Sequence, residues 1–135
     1  MKELTTQDRA LIGEAHATIE QNYDGKDFKH TVGAALRCKN GEIYTGINAY
    51  TLHGPCAETI AIGKALTSGE REFDCIVAVA IRENDGFEVL PPCGNCRQTL
   101  FDYMPDCEVI IKTESGLKKL PARELLPYPY VREDA

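Results

Sequence analysis

The sequence predicts a three-layer α/β/α domain built on a mixed sheet of about five strands. Three observations lead there. Helix-like and strand-like segments alternate along most of the chain. Residues 75–81, Cys-Ile-Val-Ala-Val-Ala-Ile, form a continuous apolar run, the pattern of a strand covered on both faces. Two short cysteine-bearing strings fall where a strand hands over to a helix, the usual place for a site in such a sheet. A length of 135 residues fits one domain spanning residues 1–135.

The elements follow in order. Thr5 or Thr6 caps a helix running to about Asn22, with Leu4, Leu11, Ile12, Ala15 and Ile19 on one face. Residues 23–29 are polar, contain Gly25 and read as a loop. Residues 31–37 and 42–48 flank Lys39-Asn40-Gly41, a strong hairpin signal. A second helix opens at Cys56 and ends near Gly69, and the buried strand follows. Asn84-Asp85-Gly86 marks a turn, and a third helix runs from Cys93 to about Tyr103. Residues 108–112 form a short strand. Gly116 breaks the chain before a short strand or turn at 117–120. Residues 123–126 form one helical turn, closed by Pro127 and Pro129.

Composition narrows the function classes. Hydrophobic residues make up 43% of the chain, enough for a sizeable core. The net charge of −6 argues against binding DNA or RNA through phosphate neutralisation, and no basic or aromatic strand-binding tract stands out. No apolar run approaches the roughly 20 residues of a membrane span. Met1-Lys2-Glu3-Leu4-Thr5 has no apolar leader core, so a cytoplasmic location is the expectation. The six cysteines do not read as a disulfide framework, because there is no secretory signal and the chain is long enough for a real core. Cys38, Cys75 and Cys107 fall in apolar, strand-like runs and read as buried small hydrophobes.

The chemistry lies in Pro55-Cys56-Ala57-Glu58 and Pro92-Cys93-Gly94-Asn95-Cys96-Arg97. Taken alone, Cys93-x-x-Cys96 fits a redox pair or half of a structural zinc knuckle. With Cys56 added, three thiols are one ligand short of a closed zinc site, which is the composition of a catalytic centre. Glu58, two residues beyond Cys56 at a helix start, is the candidate proton carrier. Three thiolates on one Zn²⁺ leave a negative cluster, offset by the helix N-termini at Cys56 and Cys93. Arg97 is expected to donate hydrogen bonds to a thiolate sulfur.

Cys-x-Glu followed by Pro-Cys-x-x-Cys is the signature of the zinc deaminases. These strings, together with Val32-Gly33-Ala34-Ala35-Leu36 and Gly46-Ile47-Asn48, resemble the cytidine deaminase family. Gly46-Ile47-Asn48-Ala49-Tyr50, His53-Gly54-Pro55-Cys56-Ala57-Glu58 and Arg123-Glu124-Leu125-Leu126-Pro127 are similar to its blasticidin S deaminase branch, over nearly the whole chain. The resemblance implies a cytidine deaminase-like fold and Zn²⁺ held by Cys56, Cys93 and Cys96. It also implies Glu58 as proton shuttle, a small-molecule nucleoside-like substrate, and a homotetramer with sites near subunit contacts. Asn48, Tyr50, Ala57 and Tyr130 are the substrate-binding candidates.

The chain also departs from the family pattern. Asn48-Ala49-Tyr50-Thr51 stands where cytidine deaminases carry Asn-x-Glu-Asn, so a phenol replaces the family's ribose-binding acid. The family's Phe-Pro-Val string is absent, with Phe28 or His30 as possible substitutes. Thr59 stands where many relatives have Arg, and Arg132 follows Tyr130-Val131 where the blasticidin enzyme has an aromatic. Cytidine or deoxycytidine and blasticidin-type antibiotics both remain open as substrates. A non-catalytic zinc-binding assembly protein is the competing class, against which Glu58 argues. The stiff, aromatic tail at 128–132 reads either as a lid over the substrate or as an oligomer contact.

Overall fold

Local chemistry starts the first helix where the sequence puts it. In the computed structural model, which describes residues 1–83 and 86–133, α1 spans Thr6–Asn22 behind the cap Thr5. Thr5 Oγ1 accepts from the Asp8 amide at 3.1 Å, and Asp8 Oδ2 accepts from the Thr5 amide at 2.9 Å, a reciprocal capping box. Leu11, Ile12, Ala15 and Ile19 form the buried stripe of α1. Leu4 packs against that stripe from the segment before the helix.

The hairpin is β1 (Val32–Cys38) and β2 (Ile43–Ile47), turned at Gly41, whose φ of 91° is open to glycine at no steric cost. Then follow α2 (Ala57–Thr67), β3 (Phe73–Arg82), β4 (Gly86–Leu90), α3 (Gly94–Tyr103), β5 (Glu108–Thr113) and β6 (Gly116–Pro121). A 3₁₀ turn at Ala122–Leu125 supplies the helical turn expected near the end.

The strand order is β2-β1-β3-β5-β6, with β4 also paired to β3. All pairings are antiparallel except β3 with β5. β1 covers one edge of β3 from Phe73 to Ala80. The other edge is shared: Cys75 and Ile76 pair with β5, while Ala78–Arg82 pair with β4. The sheet therefore has six strands rather than about five. The added strand, β4, offers five residues with Phe87 exposed and only Val89 fully buried, so its periodic signal is too short to stand out. Of the expected turn before it, Asn84 and Asp85 lie outside the described residues.

Alternation along the strands divides the core into two layers. Ala35, Cys75, Val77, Val79, Val89 and Ile110 pack under α1. Ala34, Leu36, Ile76, Ala78 and Val109 pack under α2 and α3. Asp74 interrupts the β1–β3 register as a bulge, since Arg37 pairs with Cys75 and Cys38 with Phe73. Its carboxylate takes Arg37 Nε at 2.8 Å. Arg37 Nη2 in turn reaches the fully buried Asp8 at 2.8 Å, and Lys119 Nζ meets the other oxygen of Asp8 at 2.8 Å. One carboxylate thus ties α1 to β1 and β6. Cys38 and Cys75 are buried strand residues, and Cys107 is buried in the bend just before β5. Burial pushes the Cys38 thiol up to about 11 and that of Cys75 up to about 12, as befits inert core thiols.

Candidate active site

Two helix starts build the site. Cys56 is the N-cap of α2 and Cys93 the N-cap of α3, each in extended backbone. The start of α2 lies directly on β2 because Gly46 has no side chain. A Cβ there would stand 2.6 Å from the Ala61 nitrogen and 2.7 Å from the Ala57 oxygen. Thr59 Oγ1 donates to the Cys56 carbonyl at 2.9 Å and closes the first turn. The second string enters α3 through Pro91-Pro92, and Cys96 follows in the first turn of the helix.

The sulfurs of Cys56, Cys93 and Cys96 all lie within 4.8 Å of one another, with Cys56 and Cys93 at 3.5 Å. Three ligands of a tetrahedral Zn²⁺ with Zn–S bonds of about 2.3 Å would sit about 3.8 Å apart, so the spacing fits that ion. The donors fit it as well, because thiolate is a preferred zinc ligand and three protein ligands leave one position open. The three differ in environment. Cys96 is fully buried, and that burial, together with the charge of Glu58, raises its thiol. Burial also raises Cys56, helped by its contact with Cys93. For Cys93 burial pulls the same way, but the amides of Cys96 and Asn95 and the two other thiols outweigh it and lower the group. The amides at the start of α3 therefore favour the charged form on the most exposed of the three sulfurs.

Glu58 follows on the first turn of α2 and is 7% exposed. Burial raises its carboxyl above the ordinary range, against a lowering by its own amide and by the Cys96 thiol. A buried carboxyl so perturbed beside three thiols is what a proton carrier at neutral pH requires. Cys56, Glu58 and Cys93 all line one cavity of about 380 Å³, together with Asn48 and Tyr50.

A sequence model of the cytidine and deoxycytidylate deaminase zinc-binding region matches residues 5–112. The chain belongs to that deaminase family. It is 40% identical over 136 residues to blasticidin-S deaminase of Bacillus cereus, covering 96% of both chains. It is 33% identical over 130 residues to cytidine deaminase of Sporosarcina psychrophila, covering 92% and 91%. The crystal structure of cytidine deaminase from Burkholderia pseudomallei superposes with a TM-score of 0.74 at 30% identity, covering 94% of this chain and all of that one. The site is thus a hydrolytic deaminase site with a zinc-binding triad.

In this deaminase the remaining candidates separate. Ala57, the first residue of α2, lines the cavity, and its amide is among those a helix start leaves free. Asn48 lines it too, yet its side chain is bound elsewhere. Oδ1 accepts from the amides of Thr31 at 2.8 Å and Val32 at 3.0 Å, and Nδ2 donates to Thr31 Oγ1 at 3.1 Å. Tyr50 stands at the mouth, 75% exposed. Tyr130 is not brought to the cavity; its ring is exposed and its carbonyl accepts from Gln98 Nε2 on α3 at 3.0 Å. Phe28 and His30 are also absent from the lining, and His30 Nδ1 is engaged with the Asn48 carbonyl at 2.8 Å.

Arg97 corrects one expectation. Its Nε donates to the Pro92 carbonyl at 2.8 Å and Nη1 to the Leu125 carbonyl at 3.1 Å, not to a sulfur. It fixes the backbone just before Cys93 and joins it to the 3₁₀ turn. Sequence reading gave no site role to Val32, Ala49, Thr51, Leu52, His53, Leu90 or Pro91, which also line the wall. His53 and Pro91, beside the two cysteine strings, were the ones a local signal pointed to.

Proposed function

We propose that this chain removes the exocyclic amine of a cytosine ring carried by a free nucleoside or nucleoside-like compound, consuming water and releasing ammonia. The observation that carries this reading is the buried Glu58 carboxylate set beside three converging thiols at a cavity wall. A zinc ion held by Cys56, Cys93 and Cys96 supplies the Lewis acid that makes water a competent nucleophile at neutral pH. Glu58 accepts the proton of the attacking water and delivers it to the ring nitrogen. It then carries the second proton to the departing amino group, so the carbon–nitrogen bond breaks with ammonia leaving and a ring carbonyl remaining. In this reading the amide of Ala57, a lining residue at the start of α2, donates to a polar group of the ring. Arg97 holds the Pro92 carbonyl and so keeps Cys93 in place.

Cytidine or deoxycytidine is the substrate of this reading. A blasticidin-type antibiotic is the second, favoured by the 40% identity to the Bacillus cereus protein of that name. One domain over residues 1–135, a cytoplasmic location and a homotetramer belong to the same proposal. Among the described residues no helix is long and apolar enough to cross a membrane. The exposed Tyr128, Tyr130 and Val131 give a partner copy an apolar surface to cover. Light scattering checks the assembly. Ammonia release by zinc-loaded protein from cytosine, cytidine, deoxycytidine and blasticidin S tests the chemistry. Release from none of them would leave only the non-catalytic, zinc-binding alternative.

A further inference from the structure

Resting on the three-thiol site of that reading, we infer that Arg97 is a positioning residue that makes the carboxy-terminal segment part of the metal site. The placing of Cys93 then depends on the turn at Ala122–Leu125.

Cys93 enters α3 behind two prolines, and neither Pro91 nor Pro92 has an amide hydrogen to anchor the backbone. Arg97 supplies the anchors. Its amide donates to the Cys93 carbonyl at 2.9 Å and its Nε to the Pro92 carbonyl at 2.8 Å. One residue thus holds two consecutive carbonyls, and Pro92 is buried. A buried carbonyl left without a donor is costly, so the guanidinium favours this one course of the loop.

The guanidinium is itself fixed from the far side, where Nη1 donates to the Leu125 carbonyl at 3.1 Å. A planar fork bonded at two points has little freedom to turn. The turn that offers Leu125 is tied down separately. The Ala122 amide donates to the Cys107 carbonyl at 2.9 Å and the Arg123 amide to the Pro105 carbonyl at 3.0 Å. The Leu125 side chain packs on the core layer under α2 and α3. All these bonds lie within one chain, so they stand whichever faces a neighbouring subunit covers. They also give the Arg123-Glu124-Leu125-Leu126-Pro127 string a role at the metal site.

The test measures zinc affinity of full-length variants by chelator competition, with thermal melts alongside. Arg97→Met, which keeps the stem and loses the donors, is expected to bind zinc about 10- to 100-fold more weakly than the parent, the usual effect of removing a group that supports a ligand. Arg97→Lys, a milder change that keeps the charge but not the fork, falls between the two. Ile19→Val, in the layer under α1, lowers the melt and keeps the parent's affinity. With Co²⁺ in place of zinc, the thiolate charge-transfer band moves in Arg97→Met and not in Ile19→Val. Leu125→Ala loosens the turn. It weakens zinc binding in the parent but adds little in Arg97→Met, where the link is already cut. Parent-like affinity in both Arg97 variants overturns the inference. So does an unmoved cobalt band in Arg97→Met, an equal loss in Ile19→Val, or additive losses in the double variant. None of these readouts uses substrate. A parent that holds zinc and releases no ammonia refutes the deamination reading alone, and one that holds no zinc refutes the site and this inference together.

Discussion

Replacing Glu58 by Gln removes a proton-transferring oxygen while keeping the shape of the side chain. Glu58 is 7% exposed on the first turn of α2, and no second carboxylate among the described residues lines the cavity. No other carboxylate in that lining can take over its protons. General acid–base catalysis contributes about 10² to 10⁴ in rate, and the lack of a substitute points to the upper part of that range. A loss of about 10³ corresponds to about 4 kcal/mol in the barrier. The thiols are untouched by the change, so Glu58→Gln keeps its zinc and its fold. The assay is steady-state ammonia release, with metal content by atomic absorption and a thermal melt on the same sample. Turnover within about tenfold of the parent, in a folded variant carrying full zinc, would remove Glu58 from the mechanism.

Cys93→Ala loses zinc and melts lower, because ligation and folding are coupled, whereas Cys75→Ala, a change outside the thiol cluster, keeps one zinc per chain. Metal analysis of both variants decides whether the three-thiol cluster is the binding site. Asp8 gives a pH-dependent prediction. Burial opposes its charge, but Lys119, the Thr5 amide and Arg37 hold the carboxyl well below the usual range. The folded value thus lies below the unfolded one of about 3.9, so the stabilisation is complete above that pH and fades as pH falls through it. Asp8→Asn costs about 3 kcal/mol at neutral pH, measured by urea unfolding, and the gap to the parent narrows below about pH 4. A gap that stays constant into acid would show that the ionised carboxylate is not its source. Tyr128 and Tyr130 do not line their own chain's cavity, so a lid would close over a neighbouring subunit's site, and truncation after Pro127 is then expected to raise KM or lower kcat with the oligomer intact. Deamination at the full rate would end the lid idea, and dissociation to monomers would assign the tail to packing.

What the sequence made legible was local. The Thr5 cap, the turn at Asn40-Gly41, the apolar run of β3 and the two cysteines opening helices are each set by residues a few positions apart. The three-thiol cluster was legible because its strings carry their own helix starts, so placing the helices places the sulfurs. Relations between distant segments were not legible. β4 depends on the free upper edge of β3, which five residues of sequence do not announce. Proximity in sequence suggested that Arg97 would turn to a neighbouring sulfur. The fold instead brings up the Leu125 carbonyl, 28 residues away, and the guanidinium spans two backbone oxygens.

Asn48 shows the same limit with a functional consequence. Its position in the motif suggested a contact to substrate, yet Thr31 and Val32, 17 and 16 residues earlier, meet its side chain across the hairpin and occupy its acceptor. With Tyr50 in place of an acid two residues later, that string carries no carboxylate. The reacting end of the cavity depends on residues within the two cysteine strings. The rest of the lining depends on which segments the sheet brings together, Val32 from β1 and Leu90 from the end of β4 among them. That part of the lining can therefore change while Cys56, Glu58, Cys93 and Cys96 stay as they are.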